Sequence, residues 1–350
     1  MDKILMAHGA GGELTNALIK DYILKYLGNE SADIDVPLEA LDDSGVIKDI
    51  ALTTDSYVVK PIFYPGGDIG SLAVAGTVND LAVIGAKPIA LSTAFVIEEG
   101  FPLSDFETIL ASIRKTSQKA GVRIITGDTK VVEAGALDQI MINTGGMGIR
   151  SKSLAKNIAV IKRYRPFNSK WLLDSNIRVG DKIIISGSIG EHGITILSSR
   201  EGYGFESKVQ SDTAPLNKII DKILNIGGIV AMKDPTRGGL ANALNEFADK
   251  SKVGILIEED KIPISEAVSS AAEFLGVEPL EIGNEGKLVI GVVKEKAEEV
   301  LQALRKTKEG KDAEIIGEAR KDIRGVAMKT VVGGKRIVER PLGDPVPRIC

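Results

Sequence analysis

The first half of the chain alternates between two hydrophobic periods. Ile50 to Asp55 reads as an apolar strand that ends in an acid. Ile69 to Ala86 predicts a helix crowded with small residues (Ala73, Ala75, Gly76, Ala82), which permit close packing against a sheet. Ile89 to Ile97 predicts a strand. Ser104-Asp105-Phe106-Glu107 has capping-box spacing and opens a helix to about Ala120. Val122 to Thr126 reads as a buried-type strand followed directly by Gly127-Asp128-Thr129-Lys130, and Gln139 to Gly148 as another strand. Asp55 and Asp128 are therefore expected just past strand ends. Before this block, the glycine-rich stretch His8 to Gly12 leads into an amphipathic segment, Leu14 to Leu27.

Residues 151–178 break the pattern. The run Lys162-Arg163-Tyr164-Arg165-Pro166 reads as part of a basic, irregular, solvated linker. A second α/β half follows, with strands at 183–186, 253–258 and 288–293. Its helices are expected at 215–226, 240–250, 264–275 and 294–306, and a hairpin turns at Gly333-Gly334.

Composition narrows the function. The chain has 350 residues, 43% hydrophobic and 26% charged, as in a globular protein of two domains. A net charge of −4 argues against a nucleic acid held on a basic face. No apolar run reaches membrane-spanning length, and no signal-peptide pattern opens the chain. One cysteine fits a reducing cytoplasm and excludes a disulfide within the chain. Two histidines and one cysteine make a poor zinc set.

That cysteine, Cys350, is the last residue. A packing cysteine belongs inside an element, whereas a terminus is the least packed place available. Pro345 and Pro347 stiffen the segment before it. Pro341 to Cys350 reads as a semi-rigid arm that spans up to ~35 Å and carries a thiol at its tip. The alternative is a frayed tail.

Each of Asp43, Asp55, Asp80 and Asp128 alone suits a turn, a cap or an exposed helix face. Together, at strand ends, in a turn and on the small-residue helix, they form a candidate set for a hard cation such as magnesium beside a nucleotide. The glycines at 9, 11 and 12 leave backbone N–H groups open to an anion, although no G-x-x-x-x-G-K loop occurs.

The motifs together resemble the HypE hydrogenase maturation family, within the superfamily of aminoimidazole ribonucleotide synthetase and selenophosphate synthetase. The resemblance rests on His8-Gly9-Ala10-Gly11-Gly12, Thr53 to Val59, Pro65 to Gly70 and Gly76 to Ala82. It continues through Gly127 to Val132, Asp234-Pro235-Thr236-Arg237-Gly238-Gly239, Asn284-Glu285-Gly286-Lys287 and the terminal Pro347-Arg348-Ile349-Cys350. It implies an α/β (α+β), two-domain fold of the aminoimidazole-ribonucleotide-synthetase type. The segments would be a Gly-rich lead-in at 1–40, an ATP-binding domain at 41–152, a basic linker at 153–178, a C-terminal domain at 179–340 and a flexible tail at 341–350. The N-terminal domain would form a dimeric, β-barrel-like core.

The resemblance also implies an activity. A carbamoyltransferase of the HypF type loads Cys350, ATP drives dehydration of the thiocarboxamide to a thiocyanate, and the cyano group passes to iron on a HypC–HypD-type scaffold. Asp43, Asp55, Asp80 and Asp128 would hold magnesium. His8, Gly11, Gly12, Asp43, Lys60, Asn79, Thr129 and Lys130 would bind ATP or phosphate. Catalysis would fall to Cys350, Lys130 and Glu285, with a structural Lys130–Glu285 ion pair as the alternative for the last two. Asp234, Arg237, Asn284 and Arg348 would line the cleft or guide the tail, with turn and cap roles equally open for the first three. Arg348 is expected to keep the thiol nucleophilic. A selenophosphate synthetase wants a cysteine near its N-terminus, which is absent here, and a purine synthetase has no use for the terminal motif. A non-enzymatic docking tail would show no magnesium-dependent ATP hydrolysis.

Overall fold

The protein is described from a computed structural model that covers residues 3–28, 33–200, 208–343, 346 and 348–350. The first half holds α1 (Glu13–Leu18), α2 (Leu24–Leu27), β1 (Ile34–Val36), β2 (Gly45–Ile47), β3 (Ile50–Tyr57), β4 (Phe63–Tyr64) and β5 (Gly67–Asp68). It continues with α3 (Ile69–Val83), β6 (Ala86–Glu98), α4 (Leu103–Ala120), β7 (Arg123–Val132) and β8 (Ile140–Arg150). The second half runs α5 (Lys152–Ile161), β9 (Lys182–Ile185), α6 (Glu191–Ser198), α7 (Asn217–Leu224), β10 (Ile229–Lys233) and α8 (Gly239–Ser251). It ends with β11 (Gly254–Glu258), α9 (Glu266–Leu275), β12 (Val289–Val292), α10 (Ala297–Arg305), β13 (Glu314–Arg320), β14 (Val326–Lys329) and β15 (Lys335–Ile337).

Two sheets organise these elements. The first has the order β1-β2-β3-β8-β6-β7, and the second β10-β12-β9-β13-β11-β14-β15. Among the described residues the first sheet is open, and β7 is its exposed edge. The expected buried-type strand is therefore an exposed one. It is also longer than the apolar pattern suggested, so Asp128 and Lys130 lie inside it. Asp55 likewise sits within β3 rather than beyond it.

Helix α3 lies at the centre. Every residue in it except Ser71 and Asp80 is buried, because it packs on the first sheet, on α4 and on α7 of the second half. The small residues allow this close approach: a Cβ at Gly76 would collide with the Tyr57 hydroxyl. Asp68 caps the helix, accepting the Gly70 and Ser71 N–H groups at 2.8 and 2.9 Å.

Three local expectations fail. Helix α4 starts at Leu103 with Pro102 as its cap residue and no side-chain cap, so Ser104 does not close a capping box. Residues 14–27 form α1 and α2 joined by a π-turn at Ile19–Ile23, and none of them is buried. The stretch 153–178 is not a solvated linker. It carries most of α5, and Trp171, Leu172 and Phe167 pack into the shared core. Its charges are partly internal too, since Arg165 pairs with buried Asp181 at 2.8 Å.

Candidate active site

Period-two geometry places Ala51, Thr53, Asp55 and Tyr57 on the β3 face that meets α3. Asp55 accepts hydrogen bonds from the Tyr57 and Thr77 hydroxyls at 3.1 and 3.2 Å. One turn further along α3, Asp80 accepts from the Thr53 hydroxyl at 2.9 Å. Asp43, in the turn before β2, and Asp234, just after β10, complete the group. Asp43, Asp80 and Asp234 each offer a carboxylate oxygen, and these oxygens lie within 4.8 Å of one another. They line a cavity of about 810 Å³ between the two halves, together with Asp55, Lys233 and Arg237.

The electrostatics suit a cation. Burial, then Asp55, Asp234 and Asp43, push the Asp80 carboxyl well above the ordinary range. Burial, then Asp43, push Asp234 up to about 8. Asp234 Oδ2 is buried with no hydrogen-bond partner among the described residues. Three converging carboxylates, one with an orphaned oxygen, fit the hard oxygen-donor set that magnesium requires. The set differs from the expected one: Asp43 and Asp80 are joined by Asp234, Asp55 lines the same cavity outside the cluster, and Asp128 lies away from it. The rungs Asp128–Ala94, Ala94–Asn143 and Asn143–Ser56 put Asp128 three strand spacings from β3, about 14 Å away.

An internal ammonium sits beside the acids. Lys233 Nζ lies 2.7 Å from Asp43, 3.1 Å from Glu246 and 3.3 Å from Asp174. Lys250 adds a contact to Asp174 at 2.7 Å. Burial alone would raise Asp174, but the two ammonium groups outweigh it and hold the carboxyl below its usual range. Sequence reading missed Lys233, Asp174, Glu246 and Lys250. The available signal was Lys233 immediately before the Asp234 motif.

The loop Asn284 to Lys287 is cradled by the buried carboxylate of Asp212. That carboxylate accepts from the Glu285 and Gly286 N–H groups at 3.1 and 3.2 Å, accepts from the Asn284 amide at 3.2 Å, and pairs with Lys287 at 3.4 Å. Glu285 is 2% exposed. Burial, then Asp234, Asp212 and Asp55, push its carboxyl well above the usual range against the pull of Arg237. Arg237 is held in its charged form first by Cys350, then by Asp55, Glu285 and Asp80. Its guanidinium thus feels both the chain terminus and the acids.

The tail is docked rather than frayed. The Val58 N–H donates to the Cys350 carbonyl and the Lys60 N–H to the Arg348 carbonyl, both at 3.2 Å. Val346 and Ile349 are buried in a core with Ile194, Val268 and Ile282. Arg348 Nε donates to the Val58 carbonyl at 2.9 Å, and its Nη1 pairs with Asp138. Asp344, Pro345 and Pro347, including the expected stiffening prolines, lie outside the described residues.

Several predicted nucleotide residues have partners within the chain, although Gly11 and Asp43 also line the cavity. His8 Nδ1 accepts the Leu5 N–H at 2.9 Å, and the Gly11 N–H donates to Thr15 Oγ1 at 2.9 Å. A Cβ at Gly11 would sit 2.6 Å from Arg237 Cβ, and one at Gly12 would strike the Pro341 carbonyl. Gly11 thus packs on Arg237 and Gly12 on the root of the tail. Lys60 pairs with Asp138 at 2.7 Å. Asn79 is an interior brace whose amide spans the Ala214 carbonyl and the Leu216 N–H at 3.1 and 2.8 Å. Asn284 Oδ1 accepts the Gly190 N–H at 3.1 Å. Thr129 and Lys130 stand on exposed β7, and among the described residues no ion pair joins Lys130 to buried Glu285.

Residues 41–150 and 178–329 match the family models for the AIR synthase related protein N-terminal and C-terminal domains. The chain is 43% identical to the carbamoyl dehydratase HypE of Azotobacter vinelandii, covering 99% of this chain and 96% of that one. A solved hydrogenase maturation protein HypE in complex with ATP superposes with a TM-score of 0.79 at 40% identity, covering 99% of this chain and 100% of that one. A HypE–HypF complex contains a chain with a TM-score of 0.83 at 43% identity, covering 93% of this chain and 100% of that one. The chain belongs to the HypE carbamoyl dehydratase family of AIR-synthase-related proteins.

Proposed function

We propose that this protein is a hydrogenase maturation factor that uses ATP to dehydrate a carbamoyl group carried on Cys350, supplying cyanide ligands for a nickel–iron centre. One observation carries the reading. The terminal residue is paired by its backbone to Val58, and its negative charge faces Arg237, whose other counter-charges are Asp55, Glu285 and Asp80. This supports a reading in which the tail tip is presented to the acidic cavity that Arg237 lines.

Dehydrating an amide requires a better leaving group than hydroxide. The carbamoyl oxygen attacks the γ-phosphorus of ATP, and the bond from that phosphorus to the ADP oxygen breaks. Both amide N–H protons leave, one as the oxygen is phosphorylated and the second as phosphate departs, and S–C≡N remains. Glu285 is the proton acceptor. Its raised affinity for a proton makes it a strong base once it is ionised. Arg237 neutralises charge near the tail tip. Asp43, Asp80 and Asp234 would hold magnesium, which supplies charge for phosphoryl transfer.

A homodimer belongs to this reading. The exposed edge β7 offers unpaired backbone groups and the apolar side chains Ile124, Ile125 and Val131. A second copy pairing there would bring Asp128, Thr129 and Lys130 toward a nucleotide that a single chain leaves out of their reach. The carbamoyl donor is a HypF-like transferase, in line with the HypE–HypF complex among the similar structures. The acceptor is an iron scaffold of the HypC–HypD kind, and the compartment is the cytoplasm. No helix among the described residues is long and apolar enough to cross a membrane.

Carbamoyl-dependent ATP turnover tests the reading. Protein carbamoylated on Cys350 releases one ADP per chain in a single turnover, and Cys350→Ala does not. Equal turnover by both would contradict it.

A further inference from the structure

His192, on α6, is fully buried, and both ring nitrogens are engaged. Nε2 lies 2.8 Å from the Ile349 carbonyl, and Nδ1 lies 2.7 Å from the Ser211 hydroxyl. A carbonyl only accepts, so Nε2 carries the proton and Nδ1 accepts from Ser211. Ser211 Oγ in turn accepts the Thr213 N–H at 3.1 Å. Between Ser211 and Thr213 stands Asp212, the carboxylate that cradles Asn284 to Lys287. The ring is edge-packed against Tyr64, with centroids 5.4 Å apart. Hydrogen bonds from the penultimate carbonyl to the 211–213 turn, and from the Asp212 carboxylate of that same turn to residues 284–286, therefore couple the tail to the loop that presents Glu285.

The side chain beside that carbonyl is equally fixed. Ile349 is 2% exposed and sits over two glycines. A Cβ at Gly283 would approach Ile349 Cδ1 to 2.9 Å, and one at Gly193 would approach it to 3.3 Å. The pocket is thus cut to the depth of an isoleucine.

We propose that His192 is a positioning residue: it reads the Ile349 carbonyl and so sets the register in which the Cys350 thiol is presented to the Glu285 loop. Burial also keeps the imidazole neutral by lowering its pKa, which preserves the donor–acceptor arrangement. The dehydration part of this proposal rests on the function proposed above, but the docking part does not.

The test uses the full-length protein in four forms: wild type, His192→Phe, His192→Gln and Ser211→Ala. Two readouts are taken, the iodoacetamide alkylation rate of Cys350 and the single-turnover dehydration rate of the carbamoylated protein, with ATP affinity measured alongside. Phenylalanine fills the ring volume but donates nothing. Alkylation is expected to rise about tenfold and dehydration to fall by a similar factor, the change produced by losing one buried hydrogen bond, at unchanged ATP affinity. Glutamine can donate from the Nε2 position and restores both rates to within about threefold of wild type. Ser211→Ala leaves the ring in place but frees its tautomer, and it shifts both rates the same way by a smaller factor. If His192→Phe folds, wild-type alkylation in that variant overturns the proposal. If it does not fold, wild-type alkylation in Ser211→Ala does so, as does a glutamine variant no better than phenylalanine. Failure of the dehydratase reading looks different: wild-type protein itself keeps the carbamoyl group intact with ATP, while the alkylation differences persist.

Discussion

Arg348 Nη1 lies 2.6 Å from Asp138 Oδ2, and Lys60 Nζ approaches the same oxygen at 2.7 Å. The tail guanidinium is thus tied to the rim of the N-terminal domain, not turned toward the thiol as the sequence alone suggested. Arg348 also adopts a left-handed backbone, with φ of 56°, which turns the chain into the cleft. The ion pair is half-exposed, so it contributes the modest energy of a surface pair. Asp138→Asn is expected to raise Cys350 alkylation by about twofold to fivefold, and added salt should do the same in wild type. Alkylation insensitive to both would show that the buried anchors alone hold the tail.

The same pair sets a pH dependence. Asp138 has its carboxyl pulled below 3.8, first by the Lys60 hydrogen bond and then by Arg348. A depressed carboxylate contributes docking energy that is fully present above its unperturbed value and is lost as pH falls through the depressed one. Between pH 8 and 5 the tail amide NMR signals of Ile349 and Cys350 should not move toward their positions in Asp138→Asn. Below about pH 4 they should move toward their positions in Asp138→Asn. Movement only between pH 5 and 8 would assign the titration to another group.

Lys233 neutralises the acids at the junction of the two halves, and its side chain is 9% exposed. Removing one partner of a buried ion pair leaves charge uncompensated. Lys233→Met is therefore expected to cost about 3–5 kcal/mol in urea unfolding. Adding Asp43→Asn should return part of that loss. Strictly additive losses in the double variant would mean the two groups do not interact.

Glu285→Gln keeps the shape and the backbone hydrogen bonds to Asp212 but removes the proposed base. Dehydration should slow by about 10²- to 10⁴-fold while ATP still binds. An unchanged rate would move the base elsewhere.

Much of this was legible in the residues, for identifiable reasons. The small-residue pattern of α3 announced a buried helix, and Asp80 was visible as its one acid. The terminal cysteine was conspicuous by position. Strand β10 was missed although all of it is buried, because five apolar-rich residues after two glycines carry no alternation. Strand β13 was missed because glycine and charged residues interrupt it. The four acids do not gather within one chain because strand order, which puts β6 and β8 between β7 and β3, is not written in local sequence. Lys233, Asp174 and Glu246 converge from separate elements, so no spacing rule links them. Trp171 and α5 were hidden by the basic residues around them, whose long side chains reach solvent while the apolar ones turn inward.

The most direct measurement is the mass of the C-terminal peptide after incubation with the carbamoyltransferase and a carbamoyl donor, with and without magnesium-ATP. The account predicts a carbamoyl adduct on Cys350 that loses the mass of one water only when ATP is present. An adduct that keeps its water with magnesium-ATP would leave a carrier without dehydratase chemistry and would contradict the account.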